Sequence, residues 1–397
     1  MKDNTVFLNL RRIALLLLAA ALFLAWTVWL NDFEKVPLVN TGGRSFEKAT
    51  VEEILTDNLQ ENGARIGDQR VMLRMRSGPL KGHCVEAVSP NSLLFGAACE
   101  PGMRVIAISS LAGGLDVTTV YSADRSGAVY LFIGLFLLSL YLVGGKNGLK
   151  SAAGLLFTLF CIVYLLFPMI YRGVSPFLAA LIICAVTTAA TLGLVAGCSV
   201  KSLCAALGTL FGVLVSGISA ALFGYFAGIS GLNVSTVESL LFVGQATEIR
   251  VGELLFAGIL ISALGAVMDV AMSVASTLNE LHLKNPAMSR SELFASGMNV
   301  GKDMMGTMSN TLILAFAGGS LGTLMLNYAY DLPYAQIVNS YQIGIEIMQG
   351  VSGSIGIILT VPLVSLISSL MLGAQRNSTA SEACPALLSK SHSPCDL

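Results

Sequence analysis

Six polar side chains recur at helical spacing on two consecutive apolar stretches of the chain. They carry carboxylate, hydroxyl and amide groups, and they are Asp269, Ser273 and Thr277 on the first stretch and Asp303, Thr307 and Asn310 on the second. Residues three or four positions apart share one face of a helix. Such oxygen-rich groups bind protons or small cations, so the spacing predicts two polar stripes that line an ion or solute path.

Asp269 is the most costly of these residues, because it falls within an apolar run that begins near Leu254. A carboxylate near the centre of a membrane costs about 2.5–3.5 kcal/mol on insertion scales, so it usually has a partner or a task. One interpretation is a proton or cation site of a coupled transporter. The other is an acid that ties helices together by hydrogen bonds. Asp303 falls at the end of its run, where a helix N-terminus favours negative charge.

Composition sets the class of protein in which these stripes lie. Hydrophobic residues make up 54% of the 397 residues, charged residues only 12%, and the mean hydropathy is +0.75. These values exclude a soluble globular protein and predict one that crosses a membrane several times. Almost half of the charged side chains lie between Asp32 and Arg125, so we expect a soluble domain there.

The N-terminal segment 1–30 predicts a membrane anchor. Arg11 and Arg12 precede an apolar run from Ile13 to Leu30, which is close to the length that crosses a bilayer core. A cleaved signal peptide shares this pattern. The run is longer than most signal cores, and no small-x-small cleavage site follows Trp29, which favours an uncleaved anchor with a cytoplasmic N-terminus.

Segment 31–126 predicts a small extracytoplasmic β domain, either a barrel or a sandwich. Four short alternating or β-branched runs are separated by turn signals, and they are Val71 to Arg76, His83 to Val88, Arg104 to Ser109 and Val117 to Tyr121. Cys84 and Cys99 either form a disulfide or remain as unpaired thiols. Basic residues cluster around one hairpin, where a solvated strand face explains them more simply than a ligand patch; they are Arg70, Arg74, Arg76 and Lys81.

Segment 127–373 predicts seven further crossings, which gives a mostly α-helical protein with about eight transmembrane helices. The expected crossings are Gly127 to Val143, Leu149 to Ile170, Ser175 to Ala196, Ser202 to Phe226, Leu254 to Leu278, Thr307 to Tyr328 and Val351 to Leu372. From a cytoplasmic N-terminus, this arrangement places most loop lysines and arginines inside. Both termini are then cytoplasmic, and the tail 374–397 is predicted to be disordered.

Three connections carry further signals. Thr236 to Gly244 and Tyr334 to Ile347 are amphipathic and predict helices that lie at the membrane surface. Ser289 and Glu292 form a capping-box pattern that begins a short helix ending at Met298.

The sequence offers little to support an enzyme. Its three histidines, His83, His282 and His392, lie in three different regions, and no phosphate-binding glycine motif is present. We therefore expect no catalytic residues, no metal, no cofactor and no nucleic-acid partner.

Two long motifs resemble the YibE/F-like family of bacterial multi-spanning membrane proteins. They are the run from Gly265 to Ser273 with Asn279, Glu280 and Leu281 after it, and the run from Gly301 to Leu312. The resemblance covers most of the chain from Val51 to Leu372. It implies a bacterial cytoplasmic-membrane protein of this layout, and it implies no reaction.

Two functional hypotheses follow. The first is a permease or ion-coupled transporter of a small solute, with Asp269 as a proton or cation site. The alternative is a non-transporting scaffold or regulatory protein in the lipid bilayer, which binds protein partners through its β domain and its cytoplasmic loop. Transport requires a polar cavity around Asp269, whereas a scaffold requires an exposed patch on the soluble segments.

Overall fold

The computed structural model describes residues 18, 20–38, 43–90, 95–110, 117–197, 199–234 and 236–388, with side chains described as far as Leu372. The chain divides into two compact units. One combines Met1–Val36 with Gly144–Leu397, and the other is Pro37–Val143.

The unit Pro37–Val143 contains a closed five-stranded barrel. Its strands are β1 (Arg44–Thr56), β2 (Gln69–Met75), β3 (Cys84–Ser89), β4 (Arg104–Ser110) and β5 (Val117–Ala123). The order around the barrel is β1-β2-β3-β5-β4, with β4 paired to β1 and with β3 and β5 parallel. The order β4-β1-β2-β3 is a Greek key, and small five-stranded Greek-key barrels form the architectural class of OB folds. The structure confirms the four predicted strands and a barrel rather than a sandwich, and it adds β1.

Side chains that alternate along the strands surround a small apolar core inside the barrel. Inward-facing positions on each strand are buried and outward-facing positions are exposed. The buried apolar residues of the strands are Ala49, Val51, Val71, Leu73, Met75, Ala87, Val105, Ala107 and Val120.

The two cysteines of the barrel are free thiols. Cys99 is buried, whereas Cys84 is exposed and its thiol donates a hydrogen bond to Glu52 Oε2 over 3.0 Å. The neighbouring arginines form ion pairs across the strands: Arg74 Nε lies 2.6 Å from Glu52 Oε1, and Arg70 pairs with Glu86. This pairing agrees with a solvated strand face.

The other unit consists of helices. An apolar helix α1 (Ala20–Asn31) precedes the barrel. The helices that follow the barrel in chain order are α2 (Ser126–Cys161), α3 (Phe167–Tyr171), α4 (Pro176–Ala196), α5 (Val200–Ala227), α6 (Val237–Ala246), α7 (Val251–Lys284), α8 (Arg290–Gly319), α9 (Leu321–Ala329), α10 (Tyr334–Val338) and α11 (Tyr341–Leu388). A π-helical turn, Ile162–Leu166, joins α2 to α3. The first half of α2 belongs to the barrel unit.

Among the described residues, five helical stretches are long and apolar enough to cross a membrane, or six if α8 and α9 form one bent span. One of the five, Ser126–Tyr171, has 46 residues and would extend about 69 Å if straight, more than twice a hydrocarbon core of about 30 Å. It contains both predicted crossings Gly127 to Val143 and Leu149 to Ile170. Gly145 interrupts it with non-helical angles, φ 54° and ψ −133°. The fold is thus mostly helical with a small β barrel, and the count of eight crossings remains a prediction.

Several helix boundaries differ from those expected. The capping box of Ser289 and Glu292 is confirmed, but α8 runs on without a break through the position where the sequence predicts its end. It then meets α9 at a bend of 61°. The predicted surface helix Tyr334 to Ile347 is divided, because α10 ends at Val338 and Tyr341 begins α11.

Two chain ends are described only in part. Helix α11 continues through Leu388 into the segment that the sequence predicts to be disordered, and residues 389–397 lie outside the described residues. Most of the predicted N-terminal run before Ala20 also lies outside them.

Helices α5, α7 and α11 form the centre of the bundle, and α8 packs against α7 and α11. Glycines permit the close contacts: Gly208 of α5 faces Val364 of α11, and Gly217 of α5 faces Leu260 of α7. Such small residues at helix interfaces are typical of membrane bundles, where backbones approach closely.

Candidate functional site

Asp269 lies near the middle of α7 on its exposed side. Counting about 1.5 Å per residue, it is about 24 Å along the helix from Glu253 and about 17 Å from Glu280. The opposite side of this part of α7 is the buried core face, formed by Val267, Val270, Ala271 and Val274. The carboxylate makes no hydrogen bond or ion pair with any residue that the structure describes. Asp269 is therefore an unpaired acid, within the described chain, midway along a membrane-length helix.

The rest of the α7 stripe lies between Asp269 and the core. Ser273 and Thr277 are half-buried, and the hydroxyl of Thr277 donates to Ser273 O over 2.9 Å. Glu280, at the end of the stripe, is exposed. Asp269, Ser273 and Thr277 therefore share one face of α7, as predicted, and Asp269 is the most exposed of the three.

Helix α8 is held in place by its first half. Its only fully buried residues in the described chain are Leu293, Gly297 and Gly301. A Cβ added at Gly297 would lie 2.9 Å from Leu278 Cδ1 of α7 and 2.5 Å from Ser365 Oγ of α11. Beyond Gly301, α8 has one partly covered side and one open side.

Contacts of α8 with α7 and α11 show which residue of α8 lies at the same depth along the bundle axis as Asp269. Leu278 of α7 is beside Gly297 of α8. A Cβ added at Gly353 of α11 would lie 2.6 Å from Leu312 of α8 and 3.7 Å from Ala263 of α7, so these two residues are also level. Counting from either pair along the antiparallel helices places Asp269 level with Gly306. The two stripes therefore overlap in depth along the antiparallel helices α7 and α8.

The three predicted residues on α8 are all exposed. Counted at about 1.5 Å per residue along the helix axis, Thr307 lies within about 2 Å of the depth of Asp269. Asn310 lies about 6 Å farther toward the C-terminal end of α8, and Asp303 lies about 5 Å farther toward its N-terminal end. Thr307 donates its hydroxyl to Met304 O over 3.0 Å. The side chains of Asp303 and Asn310 have no hydrogen bond within the described chain. The six residues thus form one polar surface, but no side-chain hydrogen bond joins one helix to the other within it.

Glu346 is a further acid on a membrane-length helix, and it is not among the site residues predicted from the sequence. It is half-buried near the start of α11 and lines a cavity of about 210 Å³ between α11 and the α8–α9 bend. Phe316, Ala317 and Ser320 also line this cavity. Gln342, one turn earlier, donates to Thr323 Oγ1 over 2.7 Å and ties α11 to α9.

The two acids lie at different depths of the same helix group. Gly350 of α11 is beside Ile313 of α8, with an added Cβ 3.5 Å from Ile313 Cγ1, so Glu346 is level with about Ala317. Asp269 is level with Gly306. The two carboxylates are therefore about 16 Å apart along the bundle axis, with Thr307 and Asn310 at intermediate depth.

No group of three or more histidine, cysteine, aspartate or glutamate side chains that could hold a metal ion occurs among the described residues. Ions at this surface would be bound by one carboxylate with hydroxyl and amide oxygens. Such a site suits a proton or a weakly held monovalent cation better than a tightly bound divalent one.

Comparison with known proteins places the bundle in a family. No curated protein and no solved structure matches the chain. The family described as YibE/F-like protein matches residues 132–374, which include both motifs and all six candidate residues. The match begins within α2, so the β barrel lies outside it, although the resemblance was expected to begin at Val51. Because the matched part is more than half of the chain, this membrane protein belongs to the YibE/F-like family.

Proposed function

We propose that this protein is a permease-like, ion-coupled transporter of a small solute, with Asp269 as its proton or cation site. The observation that carries the proposal is an exposed carboxylate without a partner, halfway along a membrane-length helix and level with polar residues of the next helix. An acid whose role is to tie helices together requires a donor on a neighbouring helix. Within the described chain Asp269 has none, which favours the ion-site interpretation.

The proposed path runs along α7 and α8 toward Glu346. Thr307 and Asn310 are spaced between the two acids at intervals of a few ångströms along the axis. Hydroxyl and amide groups of this kind replace part of the water shell of an ion in a membrane. In the proposed topology, the protein spans a bacterial cytoplasmic membrane with both termini in the cytoplasm, so Asp269 lies nearer the inner surface and Glu346 nearer the outer one. The protein is not an enzyme in this proposal.

Carbodiimide labelling tests the site without a known substrate. The reconstituted protein is treated with a lipid-soluble carbodiimide at several pH values, with sodium or potassium present, and the modified peptides are identified by mass spectrometry. We expect labelling of Asp269 to fall as the pH rises, because only the protonated acid reacts, and to be suppressed by the coupling cation if there is one.

Two controls accompany this experiment. Asp269→Asn removes the α7 label at that position, and a water-soluble carbodiimide reports Glu280, the exposed acid at the end of the same helix. If Asp269 stays unlabelled at every pH while Glu280 and Glu346 react, its carboxylate is sealed and the ion-site proposal is wrong.

A second candidate function rests on the barrel. Phe46, Phe95 and Tyr121 form an exposed aromatic cluster, with ring centroids 5.4 and 5.5 Å from that of Tyr121. Exposed aromatic groups are common at protein interfaces, so this surface supports a regulatory protein that binds a partner outside the membrane. If this surface binds a partner, Phe46→Ser should abolish binding of the partner while leaving the carbodiimide labelling of Asp269 unchanged. If the barrel binds no partner, Phe46→Ser should change neither the activity of the protein nor the labelling.

A further inference from the structure

One side of the α7 and α8 pair is polar and uncovered within its compact unit. We call it the α7/α8 face and define it by eight exposed residues at helical spacing: Gly258, Ser262, Gly265 and Asp269 of α7, and Asp303, Gly306, Thr307 and Asn310 of α8. Three of these side chains, two carboxylates and one amide, have no hydrogen-bond partner in the described chain. A face of this composition is not suited to lipid.

The opposite edge of the bundle shows what a lipid-facing surface of this chain looks like. The exposed residues of α5 include Leu203, Phe211, Ile218 and Leu222, each about half exposed. Phe211 is at nearly the same depth as Asp269, since its neighbour Gly212 lies against Val267 of α7. At one depth the bundle therefore has a large apolar side chain on one side and an acid on the other.

Hydrocarbon offers no hydrogen bonds, so polar groups in a membrane face protein or a water-filled cavity. The α7/α8 face must therefore be covered in the membrane. We propose that a second copy of this chain covers it, with the two α7/α8 faces packed around a two-fold axis along the membrane normal. In this arrangement Thr307 and Asn310 of the second copy complete the site at Asp269. The inference depends only on α7 and α8 lying in the membrane, and not on the transport activity.

A second copy fits this face because its acceptors and donors match at equal depth. A two-fold axis along the membrane normal keeps each residue at the same depth in both copies. Asp269 then lies at the depth of Gly306 and within about 6 Å along the axis of Asn310, whose amide N–H groups have no acceptor in the described chain and can donate to the carboxylate. The face is thus complementary to itself.

The face also permits close approach. A Cβ added at Gly258, Gly265 or Gly306 would meet no atom within 4 Å in the chain. These glycines are therefore not required for packing inside the unit. In membrane dimers, glycines on the contact side allow two backbones to come together and polar side chains to reach across.

The first half of α2, from Ser126 to Val143, is the apolar segment of the other compact unit that remains as an intramolecular alternative. Its only polar side chains between Tyr130 and Val143 are Tyr130, Ser139 and Tyr141, and the hydroxyl of Ser139 already donates to Phe136 O over 2.7 Å. The segment carries no amide and no charged side chain, and its apolar side chains are largely exposed, which is the composition of a lipid-facing helix.

Photo-crosslinking in the full-length protein tests the proposal. A benzophenone amino acid is introduced at Asn310 in a copy with one affinity tag, which is coexpressed with an unmodified copy carrying another tag. The matched control has the same amino acid at Phe211, at the same depth on the lipid-facing edge. Neither variant removes a buried side chain, so both are expected to fold.

We expect irradiation of the Asn310 variant to give a product of about twice 41.6 kDa that carries both tags. Its yield should be several-fold above that of the Phe211 variant, and its crosslinked peptide should derive from α7 or α8 of the second copy. Native mass spectrometry of the wild type in lipid nanodiscs should show the same dimer.

Four results would overturn the proposal. They are equal yields from Asn310 and Phe211, crosslinks from Asn310 mainly to lipid, crosslinks to the Ser126 to Val143 segment of the same chain, and crosslinks to a different protein. Because Asp269 labelling by carbodiimide is measured separately, a monomer that still labels would leave the transport proposal standing and remove only the dimer.

Discussion

Replacing Gly301 by alanine should loosen the attachment of α8, and the structure indicates by how much. A Cβ at Gly301 would collide with Val361 Cγ1 and lie 3.0 Å from Cγ2 and 3.1 Å from Cβ of the same residue. Since a valine in a helix has one strongly preferred rotamer, Val361 cannot turn aside. To relieve the collision with Cγ1, helices α8 and α11 would have to separate by roughly 1 Å at this point, and overpacking of this kind costs about 1–3 kcal/mol.

Gly318→Ala is the matched control on the same helix. A Cβ at Gly318 would meet no atom within 4 Å, and the position is exposed. Alanine in the interior of α8, as at position 301, gains about 1 kcal/mol of helix propensity over glycine, and Gly318, in the last turn of α8, gains no more than that. The two gains offset in part, so the overpacking cost should dominate the difference in unfolding free energy. For a unit of this size it corresponds to roughly 2–12 °C in Tm.

The assay uses the buried thiols of the bundle as reporters. Cys161, Cys184 and Cys204 are buried, so a dye that fluoresces on reaction with thiols reports when the bundle opens on heating. Cys84 is exposed and reacts before heating, which sets the baseline. We expect the Gly301→Ala transition below that of Gly318→Ala. Equal transitions, or a more stable Gly301→Ala variant, would refute the packing of α8 on α11 from which the level of Asp269 was derived.

Two further predictions concern groups outside the membrane. The hydrogen bond to the Glu52 carboxylate, with a smaller contribution from burial, raises the pKa of Cys84. Glu52→Gln should therefore lower the pKa of Cys84 and speed its alkylation near pH 8, while the buried Cys99 stays unreactive. An unchanged alkylation rate of Cys84 would contradict this prediction. Hydrogen bonds from the Ser126 hydroxyl and N–H lower the pKa of Asp124. These hydrogen bonds stabilise the folded protein at pH values above the ordinary aspartate pKa of about 4, and this stabilisation is lost as the pH falls through the lowered pKa of Asp124 in the folded state. Asp124→Asn should therefore make the decline of Tm in acid less steep.

The barrel shows where alternation predicts a strand and where it fails. Strands β2 to β5 follow period two and were predicted within about two residues. Strand β1 was missed because Glu47 faces inward and Phe46 outward, which reverses the expected pattern. The inward carboxylate accepts a hydrogen bond from Ser45 Oγ over 2.6 Å. Irregular pairing between Val51 and Glu53 then disrupts the alternation again.

Helix α8 shows how packing overrides local propensity. Glycine at position 301 and the charges that follow it suggest a break before the membrane crossing. The helix continues through Gly301, which lies against Val361 of α11, so the absence of a side chain at this position is a packing requirement. Glu346 was assigned to a predicted surface helix, Tyr334 to Ile347, and the following crossing was counted from Val351. Helix α11 instead begins at Tyr341, so the segment from Tyr341 to Gly350, with Glu346, is part of the membrane-length helix.

The phase of the Asp269 stripe follows from sequence, but its surroundings do not. Spacing alone puts Asp269, Ser273 and Thr277 on one helix face, and it gives the same result whether that face is buried between helices or open. The open face favours an ion site or a covering partner over an acid tied within its own bundle. The two experiments separate these: a labelled Asp269 in a crosslinked dimer places the path between two copies, and a sealed Asp269 in the same dimer makes the acid a bond between them.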